Sequence, residues 1–206
     1  MNYLCLLLLC AISAIAQISD DFSDGDFKQN PRWFGMQNNF EIDPEYRLHL
    51  NAPKENSSSY LALKSRVLEN ASWEMSLKLD FNPSSSNYLD WYVMANDTLL
   101  ENCSKAYFVR VGNSEDEVSL YRQKNDEITK IIDGLDGRIN MTPVEINLKV
   151  ERLSGGHWTL WIDLSDENGW ILEGSIQDHQ INDTQYSGVN CVYTSTRSNK
   201  FYFDDF

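Results

Sequence analysis

Three carboxylates stand at alternate positions in the segment FEIDPEYRL, where Glu41, Asp43 and Glu45 form the pattern E-x-D-x-E. Alternate side chains of a regular strand point to the same face, so the three would lie together. Two carboxyl groups about 5 to 5.5 Å apart act as nucleophile and general acid in retaining glycoside hydrolysis. Pro44 interrupts the pattern, and it has no backbone N–H for a central strand. Catalysis is therefore an alternative, and a turn leading into the next strand is the simpler interpretation.

Two pairs of aspartates lie near the two ends of the chain. Asp21 and Asp24 belong to DDFSDGDF, and Asp204 and Asp205 belong to the closing segment FYFDDF. The first and last strands of a jelly roll commonly lie side by side, which would bring these four carboxylates together. Such a cluster repels itself unless a cation intervenes, and Ca²⁺ takes about six to eight oxygen ligands. The segments permit a structural Ca²⁺ site formed by these four aspartates; the simpler interpretation is that the aspartates flank paired terminal strands and a turn.

Aromatic residues offer a second kind of site. Tryptophan and tyrosine rings stack on sugar rings, while arginine, asparagine and aspartate side chains bind the hydroxyl groups. The segments YLDWYVM, YFVRV and SLYRQ indicate an outward sheet surface of this composition. The predicted ligand-binding residues on it are Trp91, Tyr92, Arg110, Tyr121 and Arg122. The alternative is that packing covers both faces of the strand and the tryptophans fill the interior.

Other kinds of chemistry find less support in the sequence. His49, His157 and His179 have no cysteine or carboxylate at the spacing of zinc ligands. No glycine-rich phosphate loop leads into a helix. The formal net charge is −14, and lysine and arginine are scattered singly, whereas nucleic-acid recognition needs clustered cations. We expect no nucleic-acid partner.

The first residues have the features of an export signal. An apolar run within residues 1–16 ends in Ala14-Ile15-Ala16, the small-x-small pattern that signal peptidase cuts, so cleavage is predicted before Gln17. The run is too short to span a bilayer. We expect a secreted protein, extracellular or at the cell surface, with no transmembrane segment in its mature chain.

Two cysteines, Cys103 and Cys191, remain after removal of this leader. An even pair in an oxidising compartment permits a disulfide, and these two residues are its predicted partners. Nothing in their spacing shows that they are adjacent. Either residue also fits the interior as a small apolar side chain.

Most of the chain alternates apolar and polar residues with a period of about two. In SWEMSLKLDF the side chains of Trp73, Met75 and Leu77 share one face, and VEINLKV repeats the pattern. Clusters such as APKENSSS, NPSSSN and LSGGH separate these segments and supply turns. No segment keeps helical spacing over the length of a helix. The pattern predicts an all-β, antiparallel two-sheet β-sandwich of the concanavalin-like jelly-roll type, formed by residues 17–206 as a single domain.

Several segments, taken in order, resemble a known module. DDFSDGDFKQNPRWFG, AYFVRVGNSEDEVSLYRQ and YTSTRSNKFYFDDF are similar to the N-terminal β-sandwich of secreted Bacteroidota proteins that often carry a lamin-tail domain downstream. The pattern also resembles concanavalin-A-like and laminin-G-like jelly rolls. The resemblance implies a β-sandwich, an extracellular location and a binding or adhesion role. The E-x-D-x-E segment resembles the catalytic strand of laminarinase-type glucanases, which would make Glu41 the nucleophile and Glu45 the general acid.

These observations lead to one expected function and two alternatives. We expect an exported, non-catalytic recognition or adhesion module that binds polysaccharide or a cell-surface protein. The first alternative is a glycoside hydrolase of laminarinase type that uses Glu41, Asp43 and Glu45. The second is a structural spacer within a larger surface protein, since a fold alone does not carry a function.

Overall fold

The computed structural model describes residues 17–164 and 169–206. The predicted signal peptide, residues 1–16, lies outside the described residues, and its removal stays a prediction. Within the two described ranges, no helix has the length and the apolar character needed to span a bilayer.

The described chain consists mainly of β-strands joined by turns. Two short 3-10 turns, Gln37–Asn39 and Leu100–Asn102, are the helical elements of the described ranges. The strands, in chain order, are β1 (Trp33–Gly35), β2 (Phe40–Ile42), β3 (Leu48–Leu50), β4 (Ser57–Lys64), β5 (Ala71–Leu79), β6 (Tyr88–Ala95), β7 (Lys105–Val111), β8 (Val118–Lys124), β9 (Glu127–Ile132), β10 (Val144–Leu153), β11 (His157–Asp163), β12 (Ile171–Gln177), β13 (Tyr186–Tyr193) and β14 (Phe201–Asp204).

These strands form two seven-stranded sheets. The first sheet has the order β1-β4-β13-β6-β7-β8-β9, and the second has the order β12-β11-β10-β5-β14-β3-β2. All of the strand pairs are antiparallel. The predicted antiparallel two-sheet sandwich is confirmed, and β6 lies at the centre of the first sheet between β13 and β7.

The alternation of the sequence determines which side chains fill the space between the sheets. Leu77 of β5 stands opposite Ile146 of β10, and both are buried. The next pair, Lys78 and Glu145, lies on the outer side and forms an ion pair of 2.6 Å. Each fully buried aliphatic or aromatic side chain contributes about 1.5 to 3 kcal/mol, so this one-sided burial holds the two sheets together.

The two terminal segments lie side by side, as predicted. The backbone N–H of Asp20 donates to the carbonyl oxygen of Phe206 over 2.8 Å, and the N–H of Phe206 donates back to Asp20 over 2.9 Å. Phe22 and Phe203 both belong to the hydrophobic cluster between the sheets. The end of β14 is thereby joined to the segment that precedes β1.

The predicted disulfide between Cys103 and Cys191 is wrong. Both cysteines are free and buried. Cys191 lies on β13 in the cluster between the sheets, whereas Cys103 belongs to a separate cluster on the other face of the first sheet. Burial raises the pKa of the Cys103 thiol to about 12 and that of Cys191 well above its usual value. Both side chains therefore act as small apolar groups, which was the alternative interpretation.

Candidate functional site

The outer face of the first sheet, turned away from the second sheet, carries its own aromatic cluster. The larger hydrophobic cluster of the protein fills the space between the sheets and leaves this face separate. Within the described ranges the strands form these two sheets, and no third sheet covers this face. The buried members of the outer cluster are Ala62, Tyr92, Ala95, Leu100, Cys103, Ala106, Phe108 and Tyr121.

Polar residues meet beside this cluster at the centre of the sheet. Asn190 of β13, Asp90 of β6 and Arg110 of β7 occupy directly opposed positions on the three strands. Opposed side chains point to the same face, and neighbouring strands lie about 4.8 Å apart. The three residues therefore form a continuous polar row across the middle of the sheet.

Asp90 and Arg110 form a bidentate ion pair. Arg110 Nε donates to Asp90 Oδ1 over 2.7 Å, and Nη2 donates to Oδ2 over 2.8 Å. The Asp90 side chain is 5% exposed and that of Arg110 22%. Burial raises the pKa of Asp90, although the hydrogen bonds and the charge of Arg110 work against this rise. Burial works to lower the pKa of Arg110, but Asp90 outweighs it and raises that pKa. The guanidinium stays charged.

Asn190 lies at the other end of the row with an unused acceptor. The residue is 3% exposed, and its Oδ1 has no hydrogen-bond donor within the described part of the chain. A buried polar group without a partner costs about 1 to 3 kcal/mol. A hydroxyl or N–H group of a ligand placed here would remove that cost. Asn190 thus marks a position at which a ligand donor fits.

Three aromatic rings run parallel to the polar row. Tyr92, Phe108 and Tyr121 are cross-strand neighbours on β6, β7 and β8, with ring centres 5.0 and 5.3 Å apart. The Arg110 guanidinium lies over Phe108 and Tyr121 and is 4.3 Å from the ring centre of Tyr88. Burial raises the pKa of all three tyrosines, so their phenols are neutral. Stacking and charge together fix the orientation of Arg110.

A cavity of about 530 Å³ lies over these two rows, and we call it the outer groove. Its volume is within the range of about 300 to 1,000 Å³ that is usual for small-molecule sites. The residues that line it are Ser57, Ser58, Tyr88, Asp90, Tyr92, Glu101, Phe108, Arg110, Gln123, Ile128, Asn190 and Val192. Among these residues Arg110 is the only cation, and Asp90 neutralises it.

The outer groove combines an apolar floor with polar groups of both kinds. Tyr92 and Phe108 are buried beneath it, while the exposed Glu101 lies at its rim and accepts a hydrogen bond of 2.8 Å from Ser58 Oγ. Asn190 supplies an acceptor, and the tyrosine hydroxyls supply donors. This arrangement suits a ligand that has flat apolar faces and many hydroxyl groups.

The structure brings together three of the five residues predicted to bind a ligand. Tyr92, Arg110 and Tyr121 share the outer face of the first sheet. The prediction is wrong for Trp91, which is fully buried in the cluster between the sheets, and for Arg122. Consecutive strand residues point to opposite faces, so Trp91 cannot accompany Tyr92, nor Arg122 accompany Tyr121.

Arg122 forms an ion pair with Asp178 instead of facing the groove. Asp178 also accepts a hydrogen bond of 2.5 Å from Tyr107 Oη and one of 3.1 Å from the N–H of Gln180. Burial works to raise the pKa of Asp178, but these hydrogen bonds and the charge of Arg122 outweigh it and lower the pKa. Because Asp178 follows β12 of the second sheet, this contact joins the two sheets.

The carboxylates of the E-x-D-x-E pattern do not share one strand. β2 ends at Ile42, and Asp43 lies in the following turn, which agrees with the effect expected of a proline here. Arg47 donates to Asp43 from Nε over 3.0 Å and from Nη2 over 2.7 Å, and these bonds outweigh burial and lower the pKa of Asp43. Glu45 is exposed and also pairs with Arg47, at 2.8 Å. Glu41 Oε1 lies 3.3 Å from His49 Nδ1 on the edge of the second sheet.

The four aspartates considered for Ca²⁺ are not arranged to hold an ion, although burial and the nearby charges of Asp205 and Asp21 raise the pKa of Asp204. Asp21 Oδ1 accepts hydrogen bonds from Ser23 Oγ and Ser23 N, and Asp24 Oδ1 accepts one from the backbone, so both residues shape a local turn. Asp204 accepts from the backbone N–H of Asp205 over 2.9 Å. In the described ranges, no group of three or more His, Cys, Asp or Glu residues is arranged to hold a metal ion.

Sequence reasoning missed the residues at the centre of the outer groove. Asp90 and Asn190 each stand alone as polar residues within apolar strands, in YLDWYVM and GVNCV. A single polar residue in a buried strand was the available signal, because such a residue needs a partner or a function. Their pairing with Arg110 depends on strand register, which the sequence does not reveal.

The architecture is similar to that of solved carbohydrate-binding domains, although no protein-family profile and no curated protein matches the sequence. The carbohydrate-binding module CBM66 from Bacillus subtilis has a TM-score of 0.59 and 13% identity, covering 84% of this chain and 91% of that chain. The carbohydrate recognition domain of Emp47p has a TM-score of 0.60 and 14% identity, covering 92% of each chain. The exoplasmic/lumenal domain of VIP36, in a Ca²⁺/Man-bound form, has a TM-score of 0.58 and 16% identity, covering 94% and 83%. These likenesses establish a lectin-like β-sandwich fold.

Proposed function

We propose that this protein is an exported carbohydrate-binding module and that its ligand occupies the outer groove. The fold is that of carbohydrate-binding modules and lectin domains, which supports the class of ligand. The predicted leader supports export, and a polysaccharide or the glycan of a cell-surface protein is the expected partner.

The observation that carries this proposal is the unpartnered Oδ1 of Asn190 beside an aromatic floor. Its amide oxygen requires a donor, and a sugar hydroxyl supplies one. The adjacent rings of Tyr92 and Phe108 are buried beneath this position and make the floor of the groove apolar. The neutralised Asp90–Arg110 pair makes the groove suited to uncharged glycans.

The groove favours binding over hydrolysis. A retaining or inverting glycosidase needs two carboxyl groups free to act as acid and as nucleophile or base. Both oxygens of Asp90 are bound by Arg110, and attack through either one would break a bidentate contact. Glu101, the other carboxylate lining the groove, lies exposed at its rim.

A glycan array followed by calorimetry with the best ligand tests the proposal. Asn190→Ala removes the acceptor and should weaken binding about 5- to 100-fold without changing the melting temperature greatly. Tyr46→Ala is the matched control, since Tyr46 is 56% exposed on a turn outside the groove and its loss should leave affinity unchanged.

Each alternative function has its own outcome in this experiment. Release of reducing ends from β-glucan, lost in Glu41→Gln and Glu45→Gln, would replace the proposal with the laminarinase-type hydrolase. If the protein bound no glycan on a broad array and released no reducing ends from β-glucan, the structural-spacer alternative would be supported. Equal binding by the wild type and Asn190→Ala would keep a carbohydrate-binding function but move it out of the outer groove.

Calcium has no assigned role in this proposal. VIP36 was solved with Ca²⁺, and Emp46p was solved in a metal-free form. In the present chain the predicted ligands Asp21, Asp24, Asp204 and Asp205 do not fit, because the described residues form no group of carboxylates able to hold an ion.

A further inference from the structure

A second and larger cavity, of about 780 Å³, opens between the two sheets where the terminal segments meet. We call it the inter-sheet cavity. Leu63 and Trp91 of the first sheet and Trp73 of the second form apolar parts of its wall, and Phe206 completes them. It shares no lining residue with the outer groove. The function proposed above therefore leaves it unused.

The charged side chains that line the inter-sheet cavity are all of one sign. The described residues that line it include no Lys, Arg or His but five carboxylates, Asp20, Asp21, Asp24, Glu74 and Asp205. None of the five takes part in a salt bridge in the described ranges. All except Asp20 are exposed, so they line the solvent-facing part of the cavity. A cleft lined by one sign of charge attracts ligands of the opposite sign.

An independent observation comes from Trp91. This side chain is fully buried, yet its indole Nε1–H has no hydrogen-bond acceptor in the described part of the chain. Two other fully buried tryptophans do have acceptors: Trp33 donates to Asp20 Oδ2 over 2.8 Å, and Trp158 donates to the carbonyl of Asp178 over 2.9 Å. A buried N–H without a partner is rare in folded proteins. Trp91 therefore lacks an acceptor at the wall of a cavity that a ligand can enter.

We infer that the inter-sheet cavity binds an organic cation with an apolar body and a hydrogen-bond acceptor. Its ammonium or guanidinium group lies among the carboxylates at the entrance, its apolar part lies between Trp73 and Trp91, and its acceptor oxygen receives the Trp91 Nε1–H. Such chemistry is found in a free amine and in a basic residue within a peptide. A bare metal ion offers no apolar body and no acceptor.

Calorimetry with matched probes tests the inference and separates the two sources. Phenylalanine amide carries an ammonium, a ring and a carbonyl, and N-acetylphenylalanine amide differs mainly by the loss of the charge. The peptides acetyl-Phe-Arg-amide and acetyl-Phe-Gln-amide form the second pair. We expect the charged member of at least one pair to bind about tenfold or more tightly than its neutral analogue, and less tightly as salt increases. The cationic probe that binds more tightly, phenylalanine amide or acetyl-Phe-Arg-amide, shows whether the natural ligand is a free amine or a basic residue within a peptide.

Variants locate the binding site. Asp21→Asn combined with Glu74→Gln removes two charges from the entrance and should weaken cation binding about tenfold. Trp91→Phe keeps the ring and removes only the N–H, for an expected loss of about fivefold. Asp136→Asn, an exposed carboxylate outside the cavity, is the matched control and should change nothing.

Three results would overturn the inference: no binding by either cation, equal binding by the neutral analogues, or cation binding that is unchanged in the Asp21→Asn, Glu74→Gln variant. If Trp91→Phe fails to fold, the Asp21→Asn, Glu74→Gln variant still tests the inference. Both of its substituted residues are exposed, so we expect it to fold. Asn190→Ala must leave cation binding intact. Failure of the glycan-binding proposal would thus be seen separately from failure of this one.

Discussion

Replacing Arg110 by Met tests whether the Asp90–Arg110 pair is organised as the structure shows. The side chain of Asp90 is 5% exposed and that of Arg110 is 22% exposed, so the two partners differ in how much water they can regain. Arg110→Met leaves a buried carboxylate without a partner. Asp90→Asn leaves a guanidinium that reaches solvent and still stacks on Tyr88. The structure therefore predicts unequal costs for the two changes.

The cost of Arg110→Met is limited by protonation of Asp90. Keeping a carboxyl group neutral at pH 7, when its unfolded pKa is near 3.9, costs about 4 kcal/mol at 1.36 kcal/mol per pH unit. Removing one partner of a buried pair typically costs about 3 to 5 kcal/mol, which agrees. For a domain of this size, about 4 kcal/mol lowers the melting temperature by about 8 to 16 °C. Asp90→Asn should cost about 1 to 2 kcal/mol.

The pH dependence provides a second check on the same variant. Burial raises the folded-state pKa of Asp90, and removal of Arg110 raises it further. A carboxyl group whose pKa is raised by folding binds more protons in the folded state, so stability falls as pH rises from the unfolded pKa to the folded one. Arg110→Met should therefore be close to the wild type near pH 4 and far less stable at pH 7.

Urea unfolding followed by circular dichroism at both pH values measures these differences. The slope of the free energy of unfolding against urea should stay constant, so that the midpoint reports stability. Equal losses for Arg110→Met and Asp90→Asn, or a loss for Arg110→Met that does not change with pH, would contradict the buried, charge-paired state of Asp90.

Three further predictions concern other parts of the molecule. Asp178→Asn, which breaks the contact with Arg122 between the sheets, should cost about 3 kcal/mol in urea unfolding at pH 7, and no loss would contradict the contact. Because the pKa of Asp178 is lowered in the folded state, its stabilising effect is complete above the unfolded pKa and is lost as pH falls through the folded one, so wild type and variant should converge in acid. Iodoacetamide added in denaturant without a reductant should label both Cys103 and Cys191. If both cysteines stayed unlabelled, a disulfide between them would be shown. Thermal melts with Ca²⁺ and with a chelator should have the same midpoint, whereas a higher midpoint with Ca²⁺ would reveal an ion site that the described carboxylates do not explain.

The sequence predicted the architecture because one-sided burial leaves a period-two pattern. The pattern of Met75 and Leu77 on β5, repeated on β10, is confirmed residue by residue in the register of the two strands. The turn at Asp43 followed from Pro44 in the same way, since proline lacks the N–H that a strand needs.

The candidate site was predicted only in part because it depends on contacts between distant residues. Asp90 and Arg110 are 20 residues apart, and Asn190 joins them from a strand much later in the chain. Aromatic composition does not separate Trp91 from Tyr92, whereas their adjacent places on a strand turn them to opposite sides. The outer groove could be identified only once the order of the strands was known.

A two-dimensional nitrogen–proton NMR titration with the best ligand from the glycan array tests whether carbohydrate binds in the outer groove. If the glycan occupies the outer groove, the largest shift changes fall on the Asn190 side-chain amide and on the amides of β6, β7 and β13 around it. Shift changes confined to other surfaces, or no shift change of the Asn190 side-chain amide at saturating glycan, would contradict the assignment of the outer groove as the carbohydrate site.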